Sequence, residues 1–341
     1  MKKHVYAVML LSVVLLGCTK TNNGNRTDTP QNNEENPNGQ ENNQNPENNE
    51  NPENQEEVNP VQTCADNLVI YLSFDTDKLI DLGEGITFKE NKGQAAVSSG
   101  FIGKGWTNKS GKNSTEAYSK FDVAAGSAFS KIEKVTITAW VKNSTDPTCY
   151  KGGLFSLNGG MMGAKPHDFP AMNVYFDNNG TSTNEETGET EVWQQINGRF
   201  IFHDDKGNEQ NLWLDTGHPA FAIYGEWFHL AVTYDMDNMV KNEETGEMEA
   251  LDQVNLYVNG QQVAAHTFPY KIPFNNLVTD QTNAFYVGGW STFIEGYSTQ
   301  TWQSYWAGSM DEIRFYNKAF TPEEVASLYK EELAINLAQE D

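Results

Sequence analysis

Residues 306–329 read WAGSMDEIRFYNKAFTPEEVASLY, and this stretch decides the fold. Its first half alternates: Ile313 and Phe315 face one side, while Arg314 and Tyr316 face outward or the next layer, the period-two signature of a strand. Its second half changes period. Thr321 caps a helix, Pro322 suits the first helical position, Glu324 completes a capping box and Phe320 staples onto Val325. The adjacent acids Asp311 and Glu312 suggest a carboxylate dyad, but neighbouring residues of a regular strand point to opposite faces, so the pair is a poor acid/base couple.

Working outward, the same alternation recurs. LVIYLSFD places Leu68, Ile70, Leu72 and Phe74 on one face, and KVTITAWVK does so with Val135, Ile137, Ala139 and Val141. WFHLAVTYD aligns Phe228, Leu230, Val232 and Tyr234; VNLYVNG aligns Val254, Leu256 and Val258 and ends in Asn259-Gly260, which suits a tight hairpin turn with both central φ angles positive. Helical periodicity is nearly absent before Thr321. Roughly 280 residues of short alternating strands predict an all-β, two-sheet antiparallel sandwich with one short C-terminal helix. The string Asn-Glu-Glu-Thr-Gly-Glu occurs at Asn184 and at Asn242. It reads as protruding hairpin tips, since its oxygens lack the regular spacing of a calcium loop. His229 beside Trp227 reads as a hydrogen-bonded structural residue.

The amino terminus gives an address. Lys2 and Lys3 precede an apolar run from Val5 to Leu16, too short to span a bilayer, which ends at Gly17 before Cys18. LLGC resembles the lipobox of bacterial lipoproteins, so residues 1–17 are expected to be a signal peptide and Cys18 the lipidated residue. Acyl chains, at about 0.8 kcal/mol per buried CH₂, would hold the protein on a membrane through the anchor only. Residues 18–60 are rich in Asn, Glu, Gln and Pro and almost lack apolar side chains. They predict a disordered tether of roughly 35 Å root-mean-square span. Residues 61–341 form the expected domain. Thr19 is not the Asp that commonly retains lipoproteins at an inner membrane, which favours the outer membrane.

The formal net charge is −24, of which the first sixty residues contribute little, so the folded part is strongly acidic. That argues against nucleic acid, other polyanions or an anionic lipid surface as partners. An exported compartment permits a disulfide between Cys64 and Cys149; two free thiols are the alternative.

In order and spacing YLSFD, TITAWVK, GLFSLNG, GEWFHLAVTYD, VNLYVNGQQVA, FYVGGW and the closing strand with its helix resemble the laminin G-like family of concanavalin A-like jelly rolls. The resemblance covers about Leu68 to Tyr329 and implies two sheets packed face to face. It also implies one structural Ca²⁺ between Asp75 and Asp311, completed by carbonyls and water; the alternative is that Asp311 takes hydrogen bonds from a loop without any ion. Some concanavalin A-like relatives are glycoside hydrolases with carboxylates at alternate strand positions, such as E-x-D-x-E; no such string occurs here.

Ligand recognition is expected instead in GGWSTFIEGYSTQTWQSYW, which holds Trp290, Phe293, Tyr297, Trp302, Tyr305 and Trp306 among Ser, Thr and Gln. Such rings stack on the apolar face of a sugar while amides and hydroxyls take its hydroxyl groups. The alternative is that they pack the edge of the sandwich. A second cluster, Trp193 and Trp213 with Arg199, is less localised. The expectation is a non-catalytic, lipid-anchored carbohydrate-binding protein, with adhesion to a protein partner as the alternative and a divergent glycosidase as a third reading.

Overall fold

The computed structural model describes residues 61–341, apart from 77–78, 147, 150, 158–160, 163–164, 167, 184–187, 189, 204–205, 207, 216–224, 270, 272–273, 275–283 and 341. Cys18 and the rest of the expected signal and tether lie outside the described residues.

In chain order the strands are β1 (Leu68–Leu72), β2 (Leu82–Gly83), β3 (Ile86–Gly93), β4 (Ala95–Ser99), β5 (Lys104–Asn108), β6 (Ala117–Val123) and β7 (Val135–Lys142). There follow β8 (Gly153–Leu157), β9 (Met161–Met162), β10 (Lys165–Pro166), β11 (Met172–Thr183), β12 (Thr190–His203), β13 (Glu209–Asp215) and β14 (Trp227–Tyr234). The last are β15 (Met239–Lys241), β16 (Met248–Ala250), β17 (Val254–Val258), β18 (Gln261–His266), β19 (Ala284–Val287) and β20 (Ser309–Tyr316), with helices α1 (Ser291–Ile294) and α2 (Pro322–Glu340).

Two large antiparallel sheets result. One runs β18-β17-β14-β7-β20-β1-β2, with β5 on β20 and β4 on β5, making nine strands among the described residues; the other runs β13-β12-β11-β8-β19-β6-β3. The predicted alternation fills the space between them. Ile70, Leu72, Ile137, Val141, Leu230, Leu256, Ile313 and Phe315 from the first sheet meet Phe121, Phe155, Val174, Ile196, Phe200 and Phe285 from the second in one core. This is the two-sheet all-β jelly-roll sandwich that the period-two pattern requires. Asn259 and Gly260 have φ of 48° and 75°, as the hairpin between β17 and β18 demands. The second Asn-Glu-Glu-Thr-Gly-Glu string joins β15 to β16 as a hairpin tip. The first joins β11 to β12, whose last pair is Thr183 with Thr190; most of its tip lies outside the described residues.

Two expectations about side-chain direction fail, both at bulges. The β1–β20 ladder shifts register between Leu68 and Ile70, and Leu68 packs on the outer cluster under α2 instead of the core. The β20–β7 ladder shifts between Asp311 and Arg314, where Glu312 has φ of 52°. Met310 and Ile313 both enter the core, so Asp311 and Glu312 occupy one bulge and do not alternate across the sheet.

Helix α2 seals the outer face of the nine-stranded sheet. Its capping box forms as predicted: Glu324 N–H donates to Thr321 Oγ1 at 3.3 Å, and Thr321 N–H donates to Glu324 Oε2 at 3.0 Å. Phe320, Val325 and Leu328 pack on Ala231, Tyr257 and Tyr316 together with Val61. Beneath the helix lies a charged layer. Arg314, fully buried, is ion-paired to Glu312 of its own strand and to Glu332 of α2. Tyr71 Oη donates to Glu312 Oε2 at 2.9 Å, and Trp140 Nε1 donates to Glu332 Oε2 at 2.8 Å. One guanidinium serves two carboxylates, and burial raises Glu332 to about 8 despite the Arg314 charge. His229 lies 3.4 Å from the same Glu332 oxygen, and burial, aided by Arg314, lowers it to about 3. It is a neutral residue of the buried layer.

The chain enters this domain along the same helix. Val61 is buried, and Gln62 N–H and Thr63 N–H both donate to Glu331 Oε2, at 2.8 and 3.1 Å. Cys64 and Cys149 are free thiols, the alternative to the permitted disulfide. Cys64 Sγ accepts from Lys318 Nζ at 3.6 Å, whereas buried Cys149 points its Sγ to the Gly111 carbonyl at 3.5 Å.

Candidate functional site

The loop from Gly288 to Trp306 lies across the outer face of the seven-stranded sheet. Gly288 has φ of 92°, and a Cβ there would fall 2.3 Å from the Trp106 ring, so only glycine lets the chain leave β19 this closely. The return is fixed by Trp306 N–H to Gly288 O at 2.8 Å and Tyr305 N–H to Asn113 O at 3.1 Å. Asp168 pins the middle: its carboxylate accepts from Thr299 N–H at 3.1 Å, and its carbonyl accepts from Gln303 Nε2 at 2.7 Å.

The six predicted rings divide by burial. Trp290 is fully buried; its Nε1 donates to the Lys151 carbonyl at 2.8 Å, and its ring contacts Tyr175 at 4.4 Å. Trp306 belongs to the core, 4.9 Å from Phe176. These two rings pack the fold, which corrects their expected exposure. Tyr297 is half-buried outside the cleft. Phe293, Trp302 and Tyr305, also half-buried, line a cleft of about 380 Å³. Phe293 and Tyr305 meet edge to face at 5.3 Å, and Trp302 stands perpendicular to Trp290 at 5.1 Å.

Asn113, Ser114, Gln303 and Ser304 add amides and hydroxyls to the lining, and Lys151 adds a cation. Sequence reasoning missed Lys151, Asn113 and Ser114, because nothing local ties residues 113 or 151 to a loop near 300. The second cluster proves adjacent. The Arg199 guanidinium lies 3.5 Å from the Phe169 ring centroid and 4.9 Å from that of Trp213, and Phe169 contacts Trp302 at 5.9 Å. Trp213 is 42 % exposed, so an aromatic line runs from the cleft to the edge strand β13. The side chain of Trp193 lies outside the described residues.

The closing bulge is a separate place. Asp311 Oδ2 accepts from Phe101 N–H and Ile102 N–H, both at 2.8 Å, and its Oδ1 accepts from Glu312 N–H at 2.9 Å. Asp75 Oδ1 accepts from Lys104 N–H at 2.6 Å. Burial, then the Glu312 charge, pushes Asp311 well above the usual carboxylate range. The residues present do not fit a calcium ion. Both Asp311 oxygens are turned to backbone donors, and among the described residues no three acidic, His or Cys side chains converge, whereas Ca²⁺ takes six to eight oxygens. The two acids instead hold the turn at 100–104, where a Cβ on Gly100 would fall 2.4 Å from Asp311 Oδ2.

Among solved structures, domain 4 of AbnA, an extracellular GH43 arabinanase of Geobacillus stearothermophilus in complex with arabinotriose, matches at 19 % identity and a TM-score of 0.41, over 77 % of this chain and 98 % of that one. The binding domain of Paraclostridial Mosquitocidal Protein 1 matches at 15 % identity and a TM-score of 0.45, over 77 % of this chain and 52 % of that one. The ligand-binding domain of botulinum neurotoxin serotype D, in complex with N-acetylneuraminic acid, matches at 13 % identity and a TM-score of 0.41, over 78 % and 51 %. The chain thus spans about half the length of the toxin domains it matches. No curated protein sequence matches. The profile of the laminin G-like domains matches residues 113–326, the greater part of the sandwich, and the chain therefore belongs to the concanavalin A-like lectin/glucanase superfamily.

Proposed function

We propose that this protein is a membrane-anchored, non-catalytic carbohydrate-binding lipoprotein that captures glycans at the cell surface. One observation carries the reading: the cleft combines three half-buried rings with amides, hydroxyls and a lysine, and no carboxylate lines it among the described residues. Rings and amides bind sugars; hydrolysis of a glycosidic bond needs two acids flanking it. The adjacent acids Asp311 and Glu312 of the closing strand are buried in the other sheet and tied to the fold. The lipobox at Cys18 and the polar tether supply the address, and among the described residues no helix is long and apolar enough to cross a membrane. Thr19 after the lipidated cysteine favours the outer membrane.

The test is a glycan array probed with the full-length chain in detergent, beside its Trp302→Ala variant. A signal for one glycan group that drops at least tenfold in the variant, with the melting temperature nearly kept, is expected. A flat array with a protein recovered instead would favour adhesion, and release of reducing ends from a bound glycan would make the protein an enzyme.

A further inference from the structure

Lys151 sits where a lysine is least comfortable. Its φ is 65°, in the left-handed region that glycine fills without a steric penalty, and Gly152 and Gly153 follow it directly. The strain is held from outside: the Lys151 carbonyl accepts from Trp290 Nε1 at 2.8 Å and from Ser304 Oγ at 3.1 Å. Glycine is absent at a position that suits it, so the side chain is the reason for the residue. That side chain reaches the cleft. Nζ stands 5.3 Å from the Trp302 ring centroid and 4.0 Å from Asp177 Oδ1, and Asp177 is itself held by Asn197 Nδ2 at 2.8 Å. Lys151 is the one charged residue among the described cleft residues.

From this we infer that the cleft selects acidic sugars, its Lys151 ammonium pairing with the carboxylate of a uronic-acid unit while Trp302, Phe293 and Tyr305 hold the ring. The inference rests on the glycan-binding reading of the same cleft and names its ligand class. An ammonium has three donors and can serve more than one acceptor at once. The acidic surface does not forbid such a ligand, because exposed charges beyond about 8 Å are largely screened at physiological salt.

The experiment uses the full-length chain in detergent with galacturonan, mannuronan and glucuronoxylan oligosaccharides, each as the free acid and as its methyl ester, which keeps the shape and removes the charge. At least one free acid is expected to bind tenfold or more tightly than its ester. Lys151→Gln should lose roughly ten- to hundredfold for the acid and little for the ester, as a charged hydrogen bond predicts. Lys151→Arg should stay within a few-fold of the parent. Lys151→Gly relieves the backbone and so guards against a folding artefact; it should lose acid binding with its melting temperature kept or raised. Equal binding of acid and ester, or capture of neutral glycans alone through Trp302, overturns the inference and leaves glycan binding standing. Silence across all glycans overturns both.

Discussion

The two outer faces of the sandwich are both half-covered by the chain's own segments, yet they are finished in opposite ways. On the nine-stranded sheet, α2 closes over Glu312, Arg314 and Glu332, and every charge is answered by another buried group. On the seven-stranded sheet, the 288–306 loop leaves rings, amides and a lysine half-exposed around a cleft. Buried, mutually satisfied charges are what a fold needs; half-exposed groups of mixed chemistry are what a ligand needs. The acidic motif that draws the eye in the sequence is therefore structural, and the proposed recognition chemistry lies in the opposite layer.

That contrast can be broken most forcefully at Arg314. Arg314→Met leaves Glu312 and Glu332 buried without their cation, and should cost about 3–5 kcal/mol in urea unfolding. If the faces are independent, glycan affinity below the melting range stays unchanged; a parallel loss of binding would join the two faces into one unit.

The next effect is pH-dependent and belongs to the same layer. Glu332 is raised to about 8 in the fold, so the folded state holds a proton that the unfolded chain releases near the ordinary glutamate value. Its stabilisation is present at low pH and is lost as pH rises through about 8. Asp311 and Glu312 are raised too and act in the same direction. His229, lowered to about 3, acts oppositely, but only below the ordinary histidine value. Between pH 6.5 and 8 stability should therefore fall by about 1–2 kcal/mol. Glu332→Gln should flatten the slope in urea midpoints; an unchanged slope would remove Glu332 from the account.

The smallest effect is at the helix cap. Thr321→Ala removes the oxygen that accepts from Glu324 N–H and should cost about 1 kcal/mol. A much larger loss would mean that α2 cannot dock at all without its cap.

These places also show what the sequence makes legible. Strand alternation, the Asn259-Gly260 turn and the capping box are local, and each can be read from a few consecutive residues. The bulge at Glu312 is not: nothing in MDEI announces a glutamate with φ of 52°, so both acids were expected to alternate and did not. The site is legible only by half. The 290–306 stretch is marked by its rings, but a ring's composition does not reveal its exposure. Trp290 is buried because a carbonyl 139 residues away accepts its N–H, and Lys151 joins the cleft through that same contact. Pairings of that range are made by the fold, and no short window of sequence contains them.

The clamp at Val61–Thr63 decides how the domain would bear tension. A pull arriving along the preceding chain meets buried Val61 and the Glu331 hydrogen bonds before it reaches β1, and so loads α2 and the nine-stranded sheet first. The cleft loop is stapled to the other sheet and lies outside that path, so on the proposed reading a ligand held under flow would strain the nine-stranded layer before it distorts the cleft.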